Sequence, residues 1–316
     1  MQTALILIAL AALILGAMAW RIHKQAKLYE VGFGRQLVNT LSSRSFQLTL
    51  AGFVIFVGLW YVTVSLLKLP WFNRLPGPVE VVSEWLSPAP VFGISIYTKD
   101  YYTHIFYSTY RATAAFLLAT LLGIPFGLLM GWNKKFYDYS LPLVELIRPI
   151  PPLAWVPLAI LVLPGSEPAV IFVTFLVAFF VTTLNTLLGV ESIDENYFRA
   201  AKCLGASNKD ILFDVVVPGA LPYIFTGLQI SMGASWFSLV AGEMIAAQYG
   251  LGFLIWDSYS VIAYPVIFIG MATLGIIGWA SSALVRVVGR RLMAWREAEL
   301  SRSEERRVGK ECRSRW

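Results

Sequence analysis

The chain has 316 residues, 57% of them hydrophobic and only 14% charged, with a formal net charge of +6. Those proportions lie far from soluble-domain averages, and the apolar residues come in blocks long enough to cross a hydrocarbon core of about 30 Å. A soluble globular domain is therefore excluded and a polytopic membrane protein indicated. Short alternating strands are absent, which argues against a barrel; the spans must be helices, because unpaired backbone groups cannot be left facing lipid.

The first apolar run, about residues 2–20, is followed by Arg21, His23 and Lys24. A cleaved signal peptide would carry its charge before the run, so residues 1–20 read as a retained transmembrane helix with the N-terminus outside. Residues 21–45 form a basic cytoplasmic segment holding Arg21, Lys24, Lys27, Arg35 and Arg44. A second span is expected at about 46–67. The loop after it, 68–106, balances Lys68, Arg74 and Lys99 against Glu80, Glu84 and Asp100 and suits the outward side. The third span, 107–131, places Gly123, Gly127 and Gly131 four apart on one face, a row that permits close helix contact in lipid. Arg111 lies near its start, and Lys134 and Lys135 mark a cytoplasmic turn by the positive-inside rule.

The fourth span, 141–163, contains ELIRPIPPLAWVP from Glu145 to Pro157. Pro149, Pro151, Pro152 and Pro157 each remove a backbone donor and crowd the preceding turn, so the helix should break or kink there. Irregular backbone at membrane depth is tolerated where it lines a water-filled cavity, which makes Arg148, Pro151 and Pro152 candidates for a pathway wall. The same residues also suit an entry turn at the cytoplasmic interface, with Arg148 paired to Glu145 or snorkelling to headgroups.

After a fifth span at 168–189 comes a polar island, residues 199–218, RAAKCLGASNKDILFDVVVP. Ala200 and Ala201, then Gly205, then Ala206, Ser207 and an amphipathic stretch ending at Pro218 predict a short helix, a break and a second helix. The sixth span, 220–247, carries Glu243 near its outer end. A charge there is costly enough to call for a reason, so Glu243 joins the pathway candidates. The seventh span, 262–287, holds Gly270, Gly275 and Gly278 and leads into Arg286, Arg290, Arg291 and Arg296. With seven spans, the basic segments and the 199–218 island share the cytoplasmic side. Residues 296–316 read as a disordered tail; the last sixteen hold six basic and three acidic residues. The abrupt onset of that tail also fits sequence foreign to the gene, which the coding DNA decides.

Catalytic chemistry finds little support. Cys203 and Cys312 have no metal spacing or disulfide context, His23 and His104 fall outside the predicted spans, and no phosphate-binding Gly-Lys-Ser/Thr loop exists. The chain is thus expected not to be an enzyme, to hold no cofactor or metal, and to need a separate subunit if ATP powers it. The basic charge follows membrane topology and the tail rather than nucleic-acid binding.

The 199–218 island resembles the EAA signature of the membrane subunits of bacterial ATP-binding-cassette importers. The match runs through two alanines, three variable residues, glycine, nine variable residues, an apolar residue, one more residue, another apolar residue and proline. Arg199 stands where that family has its name-giving glutamate. The proline-rich segment, LPGPVEVV at 75–82 and GLGFLIWDSYS at 250–260 resemble the nitrate, sulfonate, taurine and bicarbonate branch. The resemblance covers about residues 46–295. It implies an all-α, polytopic helical bundle: a six-helix type I core to which the first helix is an addition. It also implies a cytoplasmic ATPase subunit that holds ATP and magnesium and docks on Arg199, Ala200, Ala201, Gly205, Ala206, Ser207 and Pro218. An extracytoplasmic solute-binding protein, a homodimer within the lipid bilayer and a small anionic solute complete the expectation. The rival is an ATP-independent carrier or channel, weakened by the lack of a charged relay within the spans.

Overall fold

The computed structural model describes residues 44–72 and 74–293; the expected first helix, the basic segment before Arg44 and the tail from 296 lie outside them. Among the described residues there is no strand. Five helices are long and apolar enough to cross a membrane, or six if one sharply bent pair counts as a single span. The described residues divide into two compact units, 44–98 with 261–269, and 99–260 with 270–293.

In the first unit, helix α1 (Arg44–Tyr61) passes into a π-helical turn at Val62–Leu66. Phe53, Val54, Ile55, Phe56 and Leu59 are all exposed, the state expected of side chains solvated by lipid. Trp60 stacks on Phe268 at 5.0 Å and donates from Nε1 to the Pro76 carbonyl at 3.2 Å. The segment after α1 contains a short helix, α2 (Pro78–Trp85), with Pro78 in its first turn, where a missing N–H costs nothing. Its buried Glu84 accepts from the Val91 and Phe92 amides at 3.2 and 2.6 Å and so closes the loop behind the helix.

The second unit opens with α3 (Lys99–Trp132), whose 34 residues extend for about 51 Å at 1.5 Å per residue, well beyond a hydrocarbon core. The expected span of 107–131 is thus only part of it. His104, read as a loop residue, is helical and buried. The extra turns carry polar contacts that hydropathy does not see, from Tyr101 to the Thr273 hydroxyl and from His104 to the Gly250 backbone.

Helix α6 (Ser166–Glu191) packs along α3 with both chains running the same way. A Cβ on Gly123 would meet Thr182 at 3.1 Å, one on Gly127 would lie 2.5 Å from the Thr183 carbonyl, and one on Gly131 would lie 2.6 Å from Val190. The glycine row is therefore the contact face, as its spacing suggests. Helix α8 (Val217–Ala246) crosses α6 in the opposite sense: Ser238 donates to the Val173 carbonyl, Ser231 to Ala178, and Gly189 abuts Ala220. Glycines and hydroxyls bring the backbones close where lipid supplies no hydrophobic drive. Ala112, Phe116, Val170, Val190, Ile224 and Leu239 fill the core between the three helices.

Between α3 and α6 the expected single span is two helices, α4 (Lys134–Ile147) and α5 (Pro152–Val162), bent by 100°. Only residues 148–151 lie in the break. Pro152 starts α5, and Pro157 sits inside it, removing a bond only to the Leu153 carbonyl of the first turn. The last elements are α7 (Glu195–Cys203), α9 (Leu251–Ser260) and α10 (Tyr264–Leu292), the last beginning in the first unit and running on into the second.

Candidate functional site

The 199–218 island is built by cap chemistry. Asp194 accepts the Asn196 amide at 2.8 Å and starts α7; Arg199, exposed, pairs with Glu195 one turn earlier at 2.9 Å. Helix α7 stops in a Schellman arrangement: Gly205 N–H donates to the Lys202 carbonyl and Ala206 N–H to the Ala201 carbonyl, both at 3.0 Å, with Gly205 at φ +83°. Ser207 then opens the next helix in a reciprocal capping box with Asp210. The helix–break–helix reading is correct, but the second helix does not end at Pro218. It runs through a short α-helical stretch, Asn208–Asp210, and a π-helical turn, Ile211–Val216, straight into α8. In that wide turn Val217 N–H reaches back five residues to the Leu212 carbonyl, which offsets the ring and missing donor of Pro218.

Ala201 and Ala206 pack against the core, whereas Arg199, Ala200, Gly205 and Ser207 are exposed. So are three large apolar side chains, Tyr197 (66%), Leu204 (88%) and Phe213 (66%). The element presents apolar surface where the sequence places water.

The proline break lines a second feature, a groove of about 550 Å³ bounded by α4–α5, α6 and α8. Arg148, Ile150, Pro152 and Trp155 supply one wall; α6 contributes a stripe from Val173 to Leu188, and α8 adds Ile230 and Phe237. Pro151 is the N-cap of α5. The stripe covers about 22 Å along α6 at 1.5 Å per residue, most of the depth of a hydrocarbon core. Arg148 makes no ion pair among the described residues, so the pairing with Glu145 does not form. Asn185 also lines the groove; its amide donates to the Val181 carbonyl at 2.8 Å, and Gly227 leaves it room, since a Cβ there would lie 2.4 Å from Asn185 Cβ.

Glu243 is not on that groove. It is fully buried three residues before the end of α8, held by Ser108 Oγ at 2.8 Å, Arg111 Nη1 at 2.8 Å and the Gly252 amide at 2.9 Å. Arg111, also fully buried, donates in addition to both carboxylate oxygens of Glu167 and to the Tyr249 carbonyl, and lies over the Tyr107 ring. Gly250 donates to His104 Nδ1 at 3.0 Å, and Leu251 to Ser108 Oγ at 2.7 Å. A Cβ on Gly250 would fall 2.4 Å from the Glu243 carboxyl carbon. One cation and two carboxylates thus lash the turn before α9 onto α3 and the start of α6, at the opposite end of α6 from α7. With every polar group of Glu243 engaged, it acts as a helix contact rather than a groove-lining charge.

The structure therefore separates the four pathway candidates: Arg148 and Pro152 line one groove, Pro151 adjoins it, and Glu243 belongs to a closed buried cluster. Sequence reasoning passed over Asn185, Glu167 and Ser108, and set His104 aside as lying outside the spans. Only Asn185, a lone amide in an apolar run, carried a signal that could have been noticed.

Comparison with known proteins agrees with these features. Residues 123–295 match the family described as binding-protein-dependent transport system inner membrane component. The chain is 37% identical over 208 residues to the nitrate import permease protein NrtB of Synechocystis, covering 65% of this chain and 76% of that one. It is 36% identical over 253 residues to the taurine transport system permease protein TauC of Escherichia coli, covering 80% and 91%. Among solved structures, inward-facing conformations of the MetNI methionine ABC transporter share the fold at a TM-score of 0.52 and 20% identity, covering 60% of this chain and 92% of that one. The helix–glycine–helix element, the all-helical bundle and these matches lead to one assignment: the chain belongs to the binding-protein-dependent transport system inner membrane component family, as a multi-pass ABC importer permease of the inner membrane.

Proposed function

We propose that this chain is the membrane subunit of an ATP-driven importer for a small anionic solute of the nitrate, sulfonate, taurine or bicarbonate class. The observation that carries the coupling role is the 199–218 element, which with the preceding Tyr197 exposes Leu204 and Phe213 and so offers apolar surface for a partner to bury. That partner is a cytoplasmic ATPase subunit, which holds ATP and magnesium and docks on Arg199, Ala200, Ala201, Gly205, Ala206 and Ser207. Because the helix after Ser207 continues through Pro218 into α8, a push on this element is transmitted to the bundle without an intervening loop. Alternating access then opens the groove beside Arg148 and Pro152 to each side in turn. The permease itself hydrolyses nothing, works as a homodimer, and receives its solute from an extracytoplasmic binding protein. The anionic class is supported by the nitrate and taurine permeases that the chain is similar to.

The test is affinity purification from mild detergent, comparing wild type with Gly205→Asp. At φ +83° an aspartate is strained but meets no atom within 4 Å, so the variant perturbs the docking surface more than the fold. Recovery of a nucleotide-binding subunit with wild type, lost with the variant, is expected together with loss of ATP-driven uptake. Uptake that follows an ion gradient and ignores ATP would instead establish a self-sufficient carrier.

A further inference from the structure

We propose that the groove at the α4–α5 break is a binding site for a small oxyanion, held by the Arg148 guanidinium with the Asn185 amide as its second polar contact. This rests on the importer reading and assigns the residues that meet the solute within it.

Three observations point to this occupant, and a fourth removes a competing field. Arg148 is the one ionisable side chain lining the groove, and no carboxylate among the described residues pairs with it. The remaining wall is almost wholly apolar, so nothing screens the guanidinium from a ligand except water. Asn185 uses one amide N–H on the Val181 carbonyl, which leaves its second N–H free to donate. Finally, the two helix ends that meet at the break carry opposite partial charges, negative at the end of α4 and positive at the start of α5. These offset each other, and the full charge of Arg148 sets the sign of the groove. A planar guanidinium with parallel donors matches the two oxygens of a nitrate, sulfonate or bicarbonate edge. The apolar wall suits a solute that carries its charge at one end or is small enough to shed its water.

The rival occupant of Arg148 is a lipid headgroup, reached by snorkelling away from the groove. The two are separated by charge-selective chemistry at a reporter cysteine. Ile150 lines the same wall, and replacing Cys203 and Cys312 with serine removes the native thiols. In the Ile150→Cys protein, in its full complex in membrane vesicles, an anionic methanethiosulfonate should react faster than a cationic one. Adding Arg148→Gln should lower that preference about tenfold, the size expected for removing one unit charge roughly 6 Å away in a water-like dielectric. Arg148→Lys should retain it. An unchanged ratio in Arg148→Gln overturns the proposal in favour of the headgroup.

Uptake of radiolabelled nitrate, taurine and bicarbonate is the second readout. Arg148→Gln should lose uptake of whichever anion the wild type carries while still copurifying the ATPase, and Arg148→Lys should recover part of it. Wild-type uptake in Arg148→Gln overturns the site even if the groove proves electropositive. If the importer reading itself is wrong, the wild type already fails to recover an ATPase, an outcome independent of the reagent ratio.

Discussion

Arg111 shows how the interior of the helix bundle holds charge. The guanidinium faces two carboxylates, Glu243 and Glu167, plus the Tyr249 carbonyl, and its net partner charge exceeds its own. Removing the cation therefore differs from removing one anion. Arg111→Ala leaves two carboxylates against each other and should cost about 3–5 kcal/mol, the range for breaking a buried pair. Glu243→Gln leaves Arg111 balanced by Glu167 and should cost less, about 1.5–3 kcal/mol for one charged hydrogen bond. Thermal unfolding in detergent should accordingly rank wild type above Glu243→Gln above Arg111→Ala. Equal stability of the two variants would falsify the view that ion pairing, rather than packing, holds the turn before α9. Neither change should alter the reagent preference at the groove, because neither residue lines it.

At the scale of elements, close helix approach depends on the glycine row of α3. A Cβ at Gly127 would sit 2.5 Å from the backbone carbonyl of Thr183, an atom that cannot rotate away. Gly127→Val should thus separate α3 from α6 and destabilise the bundle by about 1–3 kcal/mol, whereas Gly52→Val in α1, with nothing within 4 Å, should be near neutral. Detergent thermostability of the two variants checks this directly. The glycine row and the break at Gly205 were both legible, since small residues at four-residue spacing and a glycine after a capped turn have one physical reading each. The 100° bend was legible only as a break. Pro149, Pro151 and Pro152 forbid a regular helix, but the angle follows from α4 packing on α3 while α5 packs on α6. Residues 208–218 were misread as a separate helix because Pro218 normally ends one; the π-helical turn that absorbs it leaves no mark in the sequence.

For the whole molecule, the two ends of α6 do different things. One end is lashed by the Arg111 cluster, with Glu167 in the first turn of the helix. The other adjoins α7, whose caps and exposed side chains suit a docking partner. The ends are about 39 Å apart along the 26 residues of α6, so a variant at either end should act independently of the other. In the purified complex, Gly205→Asp combined with Glu243→Gln should show additive effects: the first on ATPase recovery alone, the second on melting temperature alone. Loss of ATPase recovery in Glu243→Gln by itself would show that the two ends are coupled through α6.

The sequence by itself determined the membrane class, the approximate positions of the spans that fall among the described residues and the helix–glycine–helix element of residues 199–218. Hydropathy, glycine spacing and cap chemistry are local, and each was readable within a window of about twenty residues. Only the tertiary structure decided that Glu243 belongs with Arg111 and Ser108, more than a hundred residues away, and not with Arg148. It alone placed Asn185 opposite the proline break and carried the helix through Pro218 into α8. Those outcomes depend on which buried polar group finds a partner across the bundle, a question that no local pattern of apolar and polar residues contains.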